Sequence, residues 1–131
     1  ALPFNTGAKF NPADNTNYYV GVNSTGDAPD NTAHIEHALY VPVDGIITHV
    51  LINWVSAGVV PTTESTTAYL MVDGSQTDNI ATVAGAEQML FSNSSLARSI
   101  TAGSYLHLKF TTPAWATNPT VVYIRGVVYI R

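Results

Sequence analysis

Three side chains of metal-binding type lie close together in the sequence, at His34, Glu36 and His37. Imidazole nitrogens and carboxylate oxygens are common zinc ligands, so this cluster is the first candidate for a metal site. In an extended strand, however, side chains alternate between two faces, so His34 and Glu36 share one face and His37 takes the other. The chain also lacks the HExxH pattern of a zinc-binding helix. We therefore predict polar residues at a rim or an interface here, and no metal site.

The other candidates for metal binding are single residues. His49 and His107 are each flanked by apolar residues, which favours a hydrogen-bonded structural or interface histidine. In a trimer, three copies of one such histidine can meet on the axis and form a three-histidine site, an alternative that the sequence leaves open. Asp27 and Asp30 lie in one loop, where a calcium site is the alternative to a solvated acidic loop.

Patterns for nucleophilic or phosphate chemistry are absent. The chain contains many serines but no GxSxG elbow, although the members of a Ser/His/Asp triad need not be near one another in sequence. Gly58, Gly74, Gly85 and Gly103 are isolated turn glycines rather than a phosphate-binding loop. We predict that the protein is not an enzyme, with no catalytic residues and no cofactor. A hydrolase is the weaker alternative, which a Ser–His or carboxylate pair in a cleft would support.

Composition limits the classes of partner. The chain has 131 residues, which fits one domain, and only 11% of them are charged, against about 25% in a typical soluble domain. The net charge is −4 and the five Lys and Arg residues are scattered, which argues against a nucleic-acid partner. No apolar run reaches the ~18 residues of a membrane helix. Because there is no cysteine, the chain has no disulfide and no thiolate metal site.

The elements that must position any functional surface are strands. Residues 1–16 are rich in Asn, Pro, Gly and Asp, which predicts an irregular N-terminal arm, and residues 17–131 predict a β-domain. Roughly eight to ten short strands at this spacing, without a convincing amphipathic helix, predict an antiparallel β-sandwich or jelly roll. The predicted strands cover residues 18–22, 34–41, 45–56, 66–72, 79–83, 87–91, 96–100, 105–111 and 120–131. The strand at 45–56 is apolar on both faces, which predicts burial on both sides.

The final segment, TVVYIRGVVYIR, has two different faces. The residues predicted to face the core are Val122, Ile124, Val128 and Ile130. The residues on the opposite face are Tyr123, Arg125, Tyr129 and Arg131. Tyrosine and arginine are enriched in protein–protein interfaces, so the second face predicts contact with another subunit.

The preceding strand adds to this prediction. Leu106, Leu108 and Phe110 are expected to face the core, while Tyr105, His107 and Lys109 face outward. The predicted subunit interface therefore comprises Tyr105, His107, Tyr123, Arg125, Tyr129 and Arg131. Carbohydrate binding is the alternative use of exposed aromatic residues.

Three segments together resemble a known family. They are FNPAD at 10–14 with Tyr18, Tyr19 and Gly21, SITAGSYLHLK at 99–109, and TPAWATNPT at 112–120. They resemble a small β-domain of tailed-bacteriophage virion proteins, whose members sit at the ends of fibres or stand alone as small particle proteins. The resemblance extends from about Lys9 to Arg131, TPAWATNPT is its specific part, and it implies no catalytic residues. It implies a fold similar to the trimeric jelly rolls of the tumour-necrosis-factor and C1q type, whose inner sheets include the terminal strand and surround a threefold axis.

The resemblance implies two possible placements on a virion. A short chain that begins at Ala1 without a shaft favours a trimeric capsid decoration (cement) protein on the capsid exterior, whose partner is the major capsid protein. In that case Phe4 and Phe10, in the arm, are the expected capsid contacts. The alternative is a tail-fibre or head-fibre tip domain that binds a host receptor or surface glycan through the loops at 23–32 and 58–65.

Overall fold

The computed structural model describes residues 2–5, 9–21, 29 and 38–131, with residues 3–5 described by their backbone only. The prediction of an all-β fold is confirmed, because these residues form ten strands and no helix. Accordingly, no helix in this part of the chain is long and apolar enough to cross a membrane. The strands are β1 (Leu2–Asn5), β2 (Asn17–Val20), β3 (Leu39–Tyr40), β4 (Gly45–Ser56), β5 (Ser65–Val72), β6 (Ser75–Ala84), β7 (Gln88–Asn93), β8 (Arg98–Ile100), β9 (Tyr105–Thr111) and β10 (Val122–Ile130).

The strands form two antiparallel sheets that pack as a β-sandwich. In sheet A the order is β1-β10-β4-β7, and β8 also pairs with β4. In sheet B the order is β2-β9-β5-β6, and β3 also pairs with β9. The chain crosses between the sheets several times, so β9 and β10, which are consecutive in sequence, belong to different sheets.

The core between the sheets is centred on Trp54. Its side chain is fully buried, and its ring centroid lies 5.3 Å from that of Phe110, 5.8 Å from that of Phe10 and 6.4 Å from that of Phe91. The tilted and edge-on arrangement of these rings is the geometry that aromatic pairs prefer. Strands from both sheets and the N-terminal segment therefore share one aromatic cluster.

An irregularity in β4 changes which of its side chains reach the core. The pairing of β10 with β4 shifts register between Tyr129 and Ile130, and Ile47 and Val50 are both buried despite their odd spacing. Strict alternation would place Ile46 rather than Ile47 on the face shared with Val50. A β-bulge inserts one residue and so reverses the alternation beyond it.

Part of the predicted irregular arm at residues 1–16 is regular structure, whereas residues 11–16 form no strand. Leu2–Asn5 pair with β10 as the edge strand β1. Phe10 exchanges two backbone hydrogen bonds with Val122, and its ring packs edge-on against Tyr18 at a centroid distance of 5.1 Å. These residues therefore belong to the sandwich.

Two of the segments that carried the family resemblance are bonded to each other. The Asp14 carboxylate accepts hydrogen bonds from the Trp115 backbone N–H (3.2 Å) and the Asn118 side-chain amide (2.8 Å). The Asn11 side-chain oxygen accepts one from the Val121 N–H at 2.8 Å, and the Thr112 hydroxyl donates to the Ala13 carbonyl at 2.7 Å. The FNPAD and TPAWATNPT segments thus hold the crossing between β9 and β10 in place.

An ion pair connects the two sheets. The Arg98 Nε of β8, in sheet A, lies 2.8 Å from Asp78 Oδ2 of β6, in sheet B. The hydrogen bond from Arg98 holds the pKa of Asp78 below its ordinary value, while partial burial opposes that shift. The pair therefore stabilises the fold above the ordinary aspartate pKa, and its contribution is lost as the pH falls through the lowered pKa of the folded state.

Replacing Arg98 with Met should lower the free energy of unfolding only slightly at pH 7, because exposed ion pairs contribute little. The difference from the unsubstituted protein should vanish below the folded pKa of Asp78, where the carboxyl is protonated. Urea unfolding at pH 7 and at a series of lower pH values measures the difference and its loss. Lys9→Met, at an exposed position without an ion pair in the described structure, is the matched control. An Arg98→Met effect that does not depend on pH would contradict the assignment.

Candidate interaction surface

The outward face of sheet A is the strongest candidate for a functional surface. Along β10, the side chains of Val122, Ile124 and Val128 point into the core, so Tyr123, Arg125 and the other odd-numbered residues point away from it. The neighbouring strands β4 and β7 add their own outward residues. This sheet A surface consists of His49, Leu51, Asn53, Val55, Gln88, Leu90, Tyr123, Arg125, Val127, Tyr129 and Arg131.

Large apolar side chains are unusually exposed on this surface. The exposed fractions are 53% for Leu90, 40% for Leu51, 44% for Tyr123 and 46% for Tyr129. Leu90 and Arg125 flank Asn53 in one cross-strand row, so the apolar and basic residues are interleaved. A cluster of exposed apolar and aromatic residues on one sheet face is typical of a protein interaction site.

The sheet A surface contains two open hollows. One, of about 230 Å³, is lined by Leu51, Asn53, Leu90, Arg125, Gly126 and Val127. The other, of about 300 Å³, is lined by Asn53, Val55, Tyr123 and Arg125. Both hollows include Arg125 and Asn53, so these two side chains stand between the depressions. Such relief is suited to receiving protruding side chains from another protein surface.

The charged side chains of the sheet A surface are both arginines. Arg125 and Arg131 are exposed and form no ion pair with any residue in the described part of the chain. The polar contacts present do not involve the arginines: the Gln88 amide donates to the Asn53 side-chain oxygen at 3.0 Å, and Nδ1 of His49 lies 2.9 Å from the Thr48 hydroxyl. The ring of His49 also contacts that of Tyr129 at 5.9 Å. The surface therefore carries positive charge that no described side chain neutralises.

The six predicted interface residues do not lie together. The sheet A surface contains Tyr123, Arg125, Tyr129 and Arg131. The other two residues, Tyr105 and His107, lie on β9 in sheet B, because residues 112–120 carry the chain from one sheet to the other. The expectation that all six adjoin one another is therefore wrong.

The environments of Tyr105 and His107 also differ. Tyr105 is partly exposed and contacts Tyr40 at a ring distance of 5.9 Å. His107 is only 1% exposed, so its predicted outward position at the surface is wrong as well. Lys109, next on that face, donates to the Gln76 side chain at 2.8 Å and lies over the Tyr69 ring.

Two residues of the surface were missed by the sequence prediction. Leu51 and Leu90 face outward on β4 and β7 and are among the most exposed aliphatic side chains of the described chain. For Leu51 a signal was present, because strand 45–56 is apolar on both faces. For Leu90 there was none, since a lone leucine between Met89 and Phe91 is ordinary core sequence.

The remaining candidate sites lie partly outside the described residues. His34, Glu36, His37, Asp27 and Asp30 are not among them, and neither is the side chain of Phe4. Within residues 2–5, 9–21, 29 and 38–131, no group of three or more His, Cys, Asp or Glu side chains is arranged to hold a metal ion.

Comparison with known proteins adds no identification. No protein-family model matches the chain, and no curated protein matches it.

The loop at 58–65, a predicted receptor-binding loop in the fibre-tip alternative, is fastened to the crossing segment. Gly58 and Thr62 donate backbone hydrogen bonds to the carbonyls of Thr120 and Thr117, and the Thr117 N–H donates to the Thr62 hydroxyl at 3.0 Å. The Glu64 carboxylate accepts from the Ala116 N–H at 3.0 Å. This loop is therefore part of a hydrogen-bonded end of the sandwich.

We expect Glu64→Gln to speed amide hydrogen exchange at Ala116 several-fold, because a neutral amide oxygen is a weaker acceptor than a carboxylate. Hydrogen bonds from Thr62, from its own backbone N–H and from Ala116 lower the pKa of Glu64. The protection at Ala116 should therefore be full above the ordinary glutamate pKa and decline as the pH falls through the lowered folded value. Glu87→Gln serves as the control and should leave Ala116 unchanged. Equal protection in Glu64→Gln would contradict the role of this carboxylate.

Proposed function

We propose that this protein is a non-enzymatic structural protein that assembles into a homotrimer through the sheet A surface and decorates the exterior of a bacteriophage capsid. The observation that carries the trimer is the exposed apolar, tyrosine-rich and uncompensated basic surface of β10, β4 and β7. Burying such a surface against further copies removes apolar area from water and gives the arginines partners.

The arrangement of the sheets supports the trimeric jelly-roll form of this proposal. The chain crosses between the sheets repeatedly, although β5 and β6 form a hairpin within sheet B, and such crossings are a feature of jelly rolls. In the trimers that the sequence resembles, the sheet with the terminal strand lines the threefold axis. Here the terminal strand β10 is an inner strand of sheet A, between β1 and β4. The tyrosine and arginine residues would accordingly face the axis.

The virion role is supported by the family resemblance and by the low charge of the chain. Only 11% of the residues are charged, so little desolvation opposes extensive contact with neighbouring subunits. In a trimer, three weak contacts with the major capsid protein act together and give strong binding.

The proposed capsid contact differs from the one predicted from the sequence. Phe10 is partly buried and packs against Trp54 and Tyr18, so its ring contributes to the core cluster. If sheet A lies at the axis, the outward face of sheet B and the two ends of the sandwich are the surfaces left for the capsid. Removing residues 1–16 would delete β1 and Phe10, so it would test folding rather than capsid binding.

The test measures the mass of the oligomer and its binding to phage heads. The purified protein should have three times the 14.0 kDa chain mass in light scattering. It should also co-sediment with phage heads that lack their decoration protein and raise the temperature at which those heads release DNA. A monomer would overturn the trimer. A trimer that does not bind phage heads but does bind host cells or a glycan array would overturn the capsid role in favour of a fibre tip.

A further inference from the structure

The core between the two sheets is mostly apolar, but its last layer at one end contains buried hydroxyl groups. Ser56, Thr66 and Thr112 are 1%, 0% and 2% exposed. Ser56 is the last residue of β4, Thr66 is the second residue of β5, and Thr112 directly follows β9. Because Thr67 pairs with Thr111, Thr66 and Thr112 lie side by side in sheet B.

The crossing segment closes this end of the sandwich. The loop at 58–65, which joins β4 to β5, is hydrogen-bonded to residues 117–120 of the crossing segment. Trp115, in the same segment, is 4% exposed and belongs to the core cluster. The next N–H along the chain, that of Ala116, is bonded to the Glu64 carboxylate. Trp115 therefore packs against the same end of the core as the three hydroxyl groups.

The two sheets are stacked strand over strand. On one side of the sandwich β7 meets β6, where the Asn93 side chain donates to the Asn79 carbonyl at 3.3 Å. On the other side the ring of Phe10, which pairs with β10, packs against Tyr18 of β2. The orders β1-β10-β4-β7 and β2-β9-β5-β6 therefore place β4 over β5.

Ser56 and Thr66 consequently face each other across the core. Ser56 shares its face of β4 with Trp54, and Thr66 shares its face of β5 with Ala68 and Leu70, all of which are fully buried. Facing sheets lie about 10 Å apart, and serine and threonine side chains span only part of that distance. Two such short side chains leave a gap of about one water molecule between their hydroxyl groups.

Four polar side-chain atoms at this end are buried without a hydrogen-bond partner in the described part of the chain. They are Ser56 Oγ, Thr66 Oγ1 and the indole Nε1 atoms of Trp54 and Trp115. Thr112 differs, because its hydroxyl donates to the Ala13 carbonyl at 2.7 Å. Buried polar groups in folded proteins nearly always bond to another protein group or to ordered water. The four atoms therefore point to a small polar ligand.

We infer that this end of the core is a binding site for internal water, held between the hydroxyls of Ser56 and Thr66 and bonded to the indole N–H groups of Trp54 and Trp115. An indole N–H only donates, whereas a hydroxyl both donates and accepts. Water can accept from the indoles and donate to the hydroxyls, so its bonding capacity matches this set. The inference concerns the single chain and goes beyond the proposed function, since it applies to a monomer and to a trimer alike.

Nuclear magnetic resonance tests the site directly. The chain has two tryptophans, so isotope-labelled tryptophan gives two indole N–H signals, and the signal lost in Trp115→Phe belongs to Trp115. Each indole N–H should show a dipolar cross-peak to bound water, which its sign distinguishes from chemical exchange with the solvent. The double variant Ser56→Ala/Thr66→Val should lose both cross-peaks. The control, Thr67→Val, makes the same substitution on the outward face of β5 and should keep them.

The sign of a stability change gives a second test. Thr66→Val keeps the shape of the side chain and removes its hydroxyl. With water bound, it should lower the ratio of folded to unfolded chain about 5-fold in urea unfolding at a fixed protein concentration, because the water loses a partner. Thr67→Val should change that ratio less than about 3-fold, as surface substitutions usually do.

Three results would overturn the water site. One is the lack of a water cross-peak at both indoles, and another is a pair of cross-peaks that persists in Ser56→Ala/Thr66→Val. The third is a Thr66→Val protein that is as stable as the original or more stable, since removing a buried hydroxyl that has no partner carries no penalty.

Discussion

Substituting Arg125→Glu together with Tyr129→Ala should convert the proposed trimer into folded monomers. Tyrosine and arginine in an interface each commonly contribute about 2 kcal/mol or more, so losing both should weaken association by roughly 1,000-fold. Both side chains are exposed in the single chain, and neither forms a hydrogen bond or ion pair within the described residues. The fold should therefore survive the change that removes the assembly.

Light scattering at micromolar concentration measures the mass, and circular dichroism measures the fold. The matched control is Lys109→Glu with Tyr40→Ala, which makes the same types of substitution on sheet B. That variant should remain trimeric. A trimeric Arg125→Glu/Tyr129→Ala protein would place the interface elsewhere. Dissociation of the sheet B control alone would move it to the face that carries Tyr105.

The side chains that form this surface show how far the sequence could predict it. The alternation of β10 places Tyr123, Arg125 and Tyr129 on one face without any tertiary information, because strand geometry alone determines it. Alternation within one strand does not show which residues of other strands adjoin it. Leu90 adjoins Asn53 only because β7 pairs with β4, and nothing in either segment encodes that pairing.

The incorrect predictions have equally physical causes. Alternation puts Tyr105 on the non-core face of its strand, as it does Tyr123 and Tyr129, yet the chain changes sheets between β9 and β10. The position of Ile47 depends on a bulge, which alternation cannot anticipate. Residues 1–16 have the composition of a loop, but the ring of Phe10 packs against those of Tyr18 and Trp54. Local pattern thus predicted the elements and their faces, and long-range packing determined the rest.

The second large effect concerns the core. We expect Trp54→Ala to lower the free energy of unfolding by about 3–5 kcal/mol, the usual cost of removing a large aromatic side chain from a packed interior. Trp54 is fully buried and contacts the rings of Phe10, Phe91 and Phe110, which come from the N-terminal segment and from both sheets. Its loss leaves a cavity that those three rings cannot close together, since each is held by a different element.

The measurement needs a monomeric background, because unfolding of a trimer depends on protein concentration. Urea unfolding of Trp54→Ala in the Arg125→Glu/Tyr129→Ala chain, followed by far-ultraviolet circular dichroism, gives the core contribution alone.

Trp54→Phe keeps a ring in the cluster and should lower the free energy of unfolding by about 1–2 kcal/mol. The order of the two variants therefore remains informative even if Trp54→Ala is unfolded without urea. The control, Val43→Ala, alters a side chain that is 60% exposed and should change the free energy by less than about 0.5 kcal/mol. We expect the free energy of unfolding of Trp54→Ala to lie about 3–5 kcal/mol below that of the control. If the two values differ by less than about 1 kcal/mol, the two sheets do not depend on one aromatic cluster.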